Sequence, residues 1–147
     1  MISYLLKTDV RGKNVLDMGC GTAVLAILAG MKGAENVTAI DIDEWPVKNA
    51  IENARNNNLP HIEVIMGGAE QLGAKMYDVI LANINRNVLL ADIPAYTKVL
   101  NNNGTLFMSG FYKEDLEMIS NAAFDNGLEF VSFETKNNWT SAQYFKK

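Results

Sequence analysis

The sequence predicts an α/β protein: a mostly parallel sheet of seven strands, helices on both faces, and an antiparallel hairpin at one edge. Three observations carry that expectation. Short apolar strands alternate with stretches of helical periodicity as far as Asn126-Gly127, the order that builds parallel sheets from crossover units. Two of these strands finish at a carboxylate, Asp17 and Asp41, at the end where open α/β sheets bind their ligands. The alternation then stops. Leu128 to Thr135 and Trp139 to Phe145 are separated only by Lys136-Asn137-Asn138, which pairs them as a hairpin.

Taken in order, Ile2 to Leu6 reads as the end of an amphipathic helix with no capping signal before it. Residues 1–12 are therefore expected to be the tail of a lead-in helix cut upstream. Asn14 to Asp17 is an apolar strand running into a glycine turn, Gly19-Cys20-Gly21. Val24 to Met31 is apolar all round, which predicts a helix enclosed by packing and closed by Gly33. Asn36 to Asp41 is the second strand. Asp43 then caps a helix carrying Pro46 in its first turn, with Val47, Ala50, Ile51 and Ala54 on one face. Ile62 to Met66 is the third strand, stopped by Gly67-Gly68, and Tyr77 to Ala82 is the fourth, ending at Asn83. Leu89, Ile93, Tyr96 and Leu100 mark the next helix, Thr105 to Ser109 the fifth strand, and Leu116, Ile119 and Ala123 the last helix.

At 147 residues without internal repeat or linker, the chain is expected to be one domain, 1–147. A formal charge of −4 gives no basic footprint for unassisted nucleic-acid binding. One cysteine, Cys20, excludes a disulfide framework and a cysteine-rich zinc site. No apolar run reaches the ~18–20 residues of a membrane span. The lone cysteine makes a reducing cytoplasm the expected location, and the first residues, without a basic leader or a cleavage site, are not expected to be a signal peptide.

The glycine turn discriminates among ligands. Asp41 follows Gly21 by 20 residues (41 − 21), where a carboxylate can take ribose hydroxyls. A dinucleotide fingerprint would require a small residue at position 24, which is Val24, and no Gly-Lys-Ser/Thr exists for a phosphate loop. The acid directly before the turn, Asp17, repels phosphate and suits a ligand carrying an amino group and a sulfonium. That combination points to S-adenosylmethionine.

From this turn to the final hairpin the chain resembles the class I S-adenosylmethionine-dependent methyltransferases, whose fold is Rossmann-like. Leu16-Asp17-Met18-Gly19-Cys20-Gly21-Thr22-Ala23 matches their first motif, with Ala23 in place of the usual third glycine. More narrowly, Ala39-Ile40-Asp41-Ile42-Asp43 and Leu81-Ala82-Asn83-Ile84-Asn85-Arg86-Asn87-Val88-Leu89 resemble the PrmA family, which methylates large-subunit ribosomal protein L-eleven.

The resemblance implies roles residue by residue. Asp17 and the backbone of Gly19 and Gly21 would hold the methionine part of the cofactor. Asp41 would take the ribose hydroxyls, Ile42 would pack on adenine, and Gly68 and Ala69 would border it. Asn83 would sit beside the methyl group and orient the attacking amine, a lysine side chain or an α-amine. The family also carries an N-terminal domain that recognises the ribosomal protein, which is not found in these residues. The chain is thus expected to be the catalytic domain alone, without a metal and without direct contact to nucleic acid or membrane. Ile84, Asn85 and Arg86 stand where a stacking aromatic would follow Asn83, which favours a flexible protein amine over a planar base. A small-molecule or RNA methyltransferase, an NAD-binding oxidoreductase domain and a non-catalytic cofactor-binding fragment are the competing readings. Cys20 is expected to fill space, His61 to be solvated, and Trp45 and Trp139 to pack, although Trp45 lies close enough in sequence to Asp41 to touch adenine; Arg86 is either a surface charge or a substrate contact.

Overall fold

The computed structural model describes residues 1–147. Seven strands form one sheet: β1 (Asn14–Met18), β2 (Asn36–Asp41), β3 (Glu63–Met66), β4 (Tyr77–Asn83), β5 (Leu100–Tyr112), β6 (Leu128–Lys136) and β7 (Trp139–Lys146). Their spatial order is β3-β2-β1-β4-β5-β7-β6. The first five are parallel, and β7 runs antiparallel between β5 and β6. Asn137 and Asn138 turn the hairpin with both φ positive, at 51° and 64°, the backbone that two-residue hairpin turns demand and asparagine tolerates.

Five helices flank the sheet: α1 (Ile2–Lys7), α2 (Val24–Met31), α3 (Glu44–Asn56), α4 (Arg86–Val99) and α5 (Leu116–Asp125). Strand alternation divides the core between the two faces. In β4, Val79 and Leu81 pack with residues of α1, α2 and α3, while Ile80 and Ala82 pack with Leu89, Ile93 and Tyr96 of α4 and Ile119 of α5. Leu81 is fully buried. Leu81→Ala should therefore cost about 2–5 kcal/mol, read as a lowered urea midpoint at unchanged slope. No helix is long and apolar enough to cross a membrane.

Four expectations need correction. The helix over 24–31 is not enclosed: Val24 and Met31 are 54% and 59% exposed, and an all-apolar segment carries no periodicity to reveal its wet side. Leu100 leaves α4 and becomes the first residue of β5, pairing with Tyr77. Pairing of β5 with β4 then breaks and resumes at Thr105, and Asn103, within the gap, adopts φ 64°. Asp43 holds the N-cap position of α3, but its side chain makes no capping bond. Ile51 lies on the outer side of that helix, leaving Ala50 and Ala54 as its buried contacts.

α1 is fastened at both ends by polar contacts. Lys32 Nζ donates to the carbonyls of Leu5, Leu6 and Thr8 at 2.7, 2.7 and 2.8 Å, capping the C-terminus of α1. On the other side, Ser3 and Lys7 both donate to the Glu134 carboxylate on β6. The helix thus bridges α2 and the C-terminal hairpin across the carboxyl ends of the central strands.

Candidate functional site

The chain reverses its direction of travel across the sheet between β1 and β4, so the loops after these strands diverge and leave a crevice at their carboxyl ends. The loop after β1 is the glycine turn. Gly19 and Gly21 take φ of 67° and 53°, and Ala23, at φ 66°, keeps the same left-handed backbone with a fully buried methyl. The N–H groups of Gly19 and Cys20 both donate to the Ile40 carbonyl, at 2.8 and 3.0 Å, and that of Gly21 donates to Asp41 Oδ2 at 2.9 Å. With both glycine N–H groups already engaged, those two glycines have no free donor to offer a phosphate.

Asp17 lies beneath the turn, 1% exposed. Its Oδ2 accepts from the N–H of Ala26 at 3.1 Å and so caps the first turn of α2, which has no cap of its own because Ala23 stands at the N-cap. Its Oδ1 is buried with no partner in the protein. Burial is the main cause that pushes this carboxyl up to about 7; the Ala26 N–H opposes the shift and the Asp41 charge adds to it. A buried carboxylate oxygen left unpaired near a second carboxylate, Asp41, fits a cationic group. The donor set therefore suits the ammonium of S-adenosylmethionine and not a pyrophosphate.

Asp41 ends β2 and ties three segments together. Besides Gly21, its carboxylate accepts from the N–H of Asp43 at 3.1 Å, and its carbonyl accepts from the N–H of Gly67 at 2.8 Å. It thereby fixes the backbone of Asp43 at the start of α3, while the helix itself has no side-chain cap. Ile42, next along, is 71% exposed, and Trp45 on the first turn of α3 is 75% exposed, so Trp45 is not the packing residue expected. Gly68 and Ala69 lead into a short 3₁₀ turn after β3, held beside β2 by the Met66–Asp41 register.

Asn83 ends β4 directly across from Ser109 of β5, whose hydroxyl donates to Asn83 Oδ1 at 2.9 Å. Behind it, Ile84 leans on the glycine turn: a Cβ on Gly19 would lie 2.7 Å from Ile84 Cγ1. Gly110, at φ 96°, leaves room for the Ile84 backbone, whose N–H donates to the Ser109 carbonyl at 3.1 Å. A side chain at 110 would meet the Ile84 carbonyl oxygen head-on. Gly110→Ala should destabilise the fold by about 1–3 kcal/mol from backbone strain alone, seen as a lowered melting temperature.

The ends of β4 and β5 open onto a cleft of about 1030 Å³ between α1, α2 and the C-terminal hairpin, lined by Asn83, Ser109, Leu25, Glu134, Trp139 and Ser141 among others; of the residues the sequence singled out for the site, only Asn83 lines it. Trp139 is 53% exposed and stacks on Tyr112 with ring centroids 4.6 Å apart, forming the lip of the cleft instead of packing in the core. Arg86 pairs with Asp115 at 2.8 Å and fastens the start of α4 to the segment before α5. Cys20 is buried, and burial with the nearby Asp17 and Asp41 pushes its thiol up to about 12, so it fills space as expected. His61 is exposed.

All eight residues that the sequence singled out, Asp17, Gly19, Gly21, Asp41, Ile42, Gly68, Ala69 and Asn83, thus lie on the carboxyl rim of β1–β4. Ser109 and Gly110 escaped notice. The signal for them was their place at the carboxyl end of a strand beside β4, legible only once β5 is known to be its neighbour.

A sheet ordered 3-2-1-4-5-7-6, with an acid and a glycine turn at the switch point, is the Rossmann-like fold of the class I methyltransferases. The solved ribosomal protein L11 methylase from Lactobacillus delbrueckii subsp. bulgaricus superposes with a TM-score of 0.94 at 28% identity, over 99% of this chain and 76% of that one. A family model described as ribosomal protein L11 methyltransferase (PrmA) matches residues 1–147, and the chain belongs to that family. It is 51% identical to the ribosomal protein L11 methyltransferase of Phocaeicola vulgatus over 148 residues, covering 100% of this chain and 53% of that protein. The counterpart in Porphyromonas gingivalis is 50% identical over 145 residues, covering 98% and 50%. The chain spans about half the length of the curated relatives it matches.

Proposed function

We propose that this chain is the catalytic domain of a protein N-methyltransferase, using S-adenosylmethionine to methylate amino groups of ribosomal protein L11 in the cytoplasm. The observation that carries the reading is the placement of Asn83. Its amide stands at the carboxyl end of β4, in a cleft that Val24 and Leu25 at the start of α2 also line, with no aromatic ring directly after it in the chain. The names of the relatives supply the substrate class.

When bound, S-adenosylmethionine supplies a methyl group made electrophilic by its sulfonium. The remaining work falls to the residues of the chain. Asp17 Oδ1 and the turn carbonyls would take the ammonium, and Asp41, with lone pairs left over from two N–H groups, would take the ribose hydroxyls. Ile42 would cover one face of adenine, with Gly68 and Ala69 at its edge. The nucleophile must be neutral, whereas a lysine amine with a reference pKa of about 10.4 is protonated at neutral pH. Partial enclosure in the cleft lowers that value by desolvation. Asn83 Oδ1, one lone pair given to Ser109, has one left to accept an amine N–H and aim the nitrogen lone pair. Such orientation can contribute about 7–11 kcal/mol to the rate. No metal is needed for this chemistry. Capture of the whole ribosomal protein is assigned to segments of the longer relatives that this chain does not span.

A second reading, methyl transfer to a planar small molecule or an RNA base, is favoured by the exposed Tyr112–Trp139 stack on the lip of the cleft. The formal charge of −4 counts against RNA. Calorimetric titration with S-adenosylhomocysteine and with NAD, followed by methyl-transfer assays on ribosomal protein L11 and on RNA, separates these readings. Binding of S-adenosylhomocysteine is expected of this chain, and methylation of the protein is expected of the chain joined to the remaining segments of a longer relative. Binding of NAD alone would overturn the cofactor assignment, and methylation of RNA alone the substrate assignment.

A further inference from the structure

We infer that Ser109 is a positioning residue that sets which face of the Asn83 amide meets the substrate amine. The inference rests on the reading of Asn83 given above. Asn83 is exposed, and its bond from the Ser109 hydroxyl at 2.9 Å is the one hydrogen bond its side chain makes. The terminal torsion of an asparagine is broad and nearly two-fold, so an unanchored amide presents its oxygen and its NH₂ in turn. Methyl transfer to an amine requires the oxygen, because an NH₂ group aimed at the nucleophile competes for its lone pair.

Ser109 is well placed to make that choice. It is 7% exposed, and it pairs with Asn83 on β4 and with Ser141 on β7. Its own carbonyl is fixed by the N–H of Ile84, the residue after Asn83, at 3.1 Å. The irregularity in the β5–β7 pairing falls immediately after it, at Gly110, whose positive φ lets the chain carry the Ser109 side chain under the end of β4. Strand and loop therefore hold the hydroxyl rigidly while the amide it restrains faces solvent.

The test compares Ser109→Ala and Ser109→Thr with the native chain. Without cofactor or substrate, the Asn83 side-chain NH₂ signals should show a lower order parameter in Ser109→Ala and a native one in Ser109→Thr, which keeps the hydroxyl. In methyl-transfer assays, Ser109→Ala should lower kcat about tenfold, the size of one neutral hydrogen bond, at unchanged KM and unchanged affinity for S-adenosylhomocysteine. In the Asn83→Ala background the same substitution should have no further effect, since it acts through a side chain already removed. An unaltered Asn83 order parameter in Ser109→Ala, or a full additional loss in the double variant, overturns the inference. If neither this chain nor this chain joined to the remaining segments of a longer relative methylates ribosomal protein L11, the reading of Asn83 as a methyl-transfer residue is refuted, and the amide signals still decide whether Ser109 holds it.

Discussion

Asn83→Ala is expected to slow methyl transfer about 100-fold, the scale on which loss of nucleophile alignment acts, while leaving the affinity for S-adenosylhomocysteine within about twofold. The split follows from where the side chain is attached. No hydrogen bond joins the Asn83 side chain to Asp17 or Asp41; its one side-chain bond is to Ser109 on β5, whereas the turn that would hold the cofactor follows β1 on the other side of β4. Because the side chain is exposed, its removal should change stability by no more than about 0.5 kcal/mol. Single-turnover rates at saturating cofactor, set beside calorimetric affinities, measure both quantities on one preparation. A parallel fall in rate and affinity would instead place Asn83 in the cofactor pocket and remove its role toward the amine.

The glycine turn and the acids around it were legible because their signals are local. A strand end, a small residue and a carboxylate at fixed spacing fall within the stretch from Leu16 to Asp41, and the structure brings Gly21 and Asp41 into direct contact. What the sequence hid was pairing between distant segments. β7 inserts between β5 and β6, which places Ser141 beside Ser109 and Trp139 on the lip of the cleft, and no short-range pattern carries that information. The cap of α3 shows the same limit in miniature. Spacing selects Asp43 for the N-cap, yet its side chain makes no capping bond, and its own N–H is taken by the Asp41 carboxylate two residues back. Asp17 likewise serves α2 from outside that helix, a role that helix-start rules applied to residues 22–26 cannot detect.

That double duty makes Asp17→Asn the most informative change near the cofactor. An asparagine can keep the bond from the Ala26 N–H through its side-chain oxygen, so the cap on α2 should survive and only the charge is lost. In the unliganded native chain, burial holds the Asp17 carboxyl protonated up to about 7, against the 3.8 of a freely solvated aspartate. Between these two values the folded state retains a proton that the unfolded state has released, so stability from this group falls as pH rises through the window. Asp17→Asn should abolish that fall and melt at a higher temperature than the native chain above neutral pH. Cofactor affinity should move the other way. An ammonium reaching Oδ1 favours the ionised carboxylate, so native affinity should rise with pH toward and through neutrality, with a proton released on binding. The variant should bind about 10–100-fold more weakly, the worth of a charged over a neutral hydrogen bond, and release none. Thermal melts across pH 4–8, and titrations in buffers of differing ionisation enthalpy, read the two effects separately. A variant that binds as tightly as the native chain would confine Asp17 to capping α2 and leave the ammonium to the turn carbonyls alone.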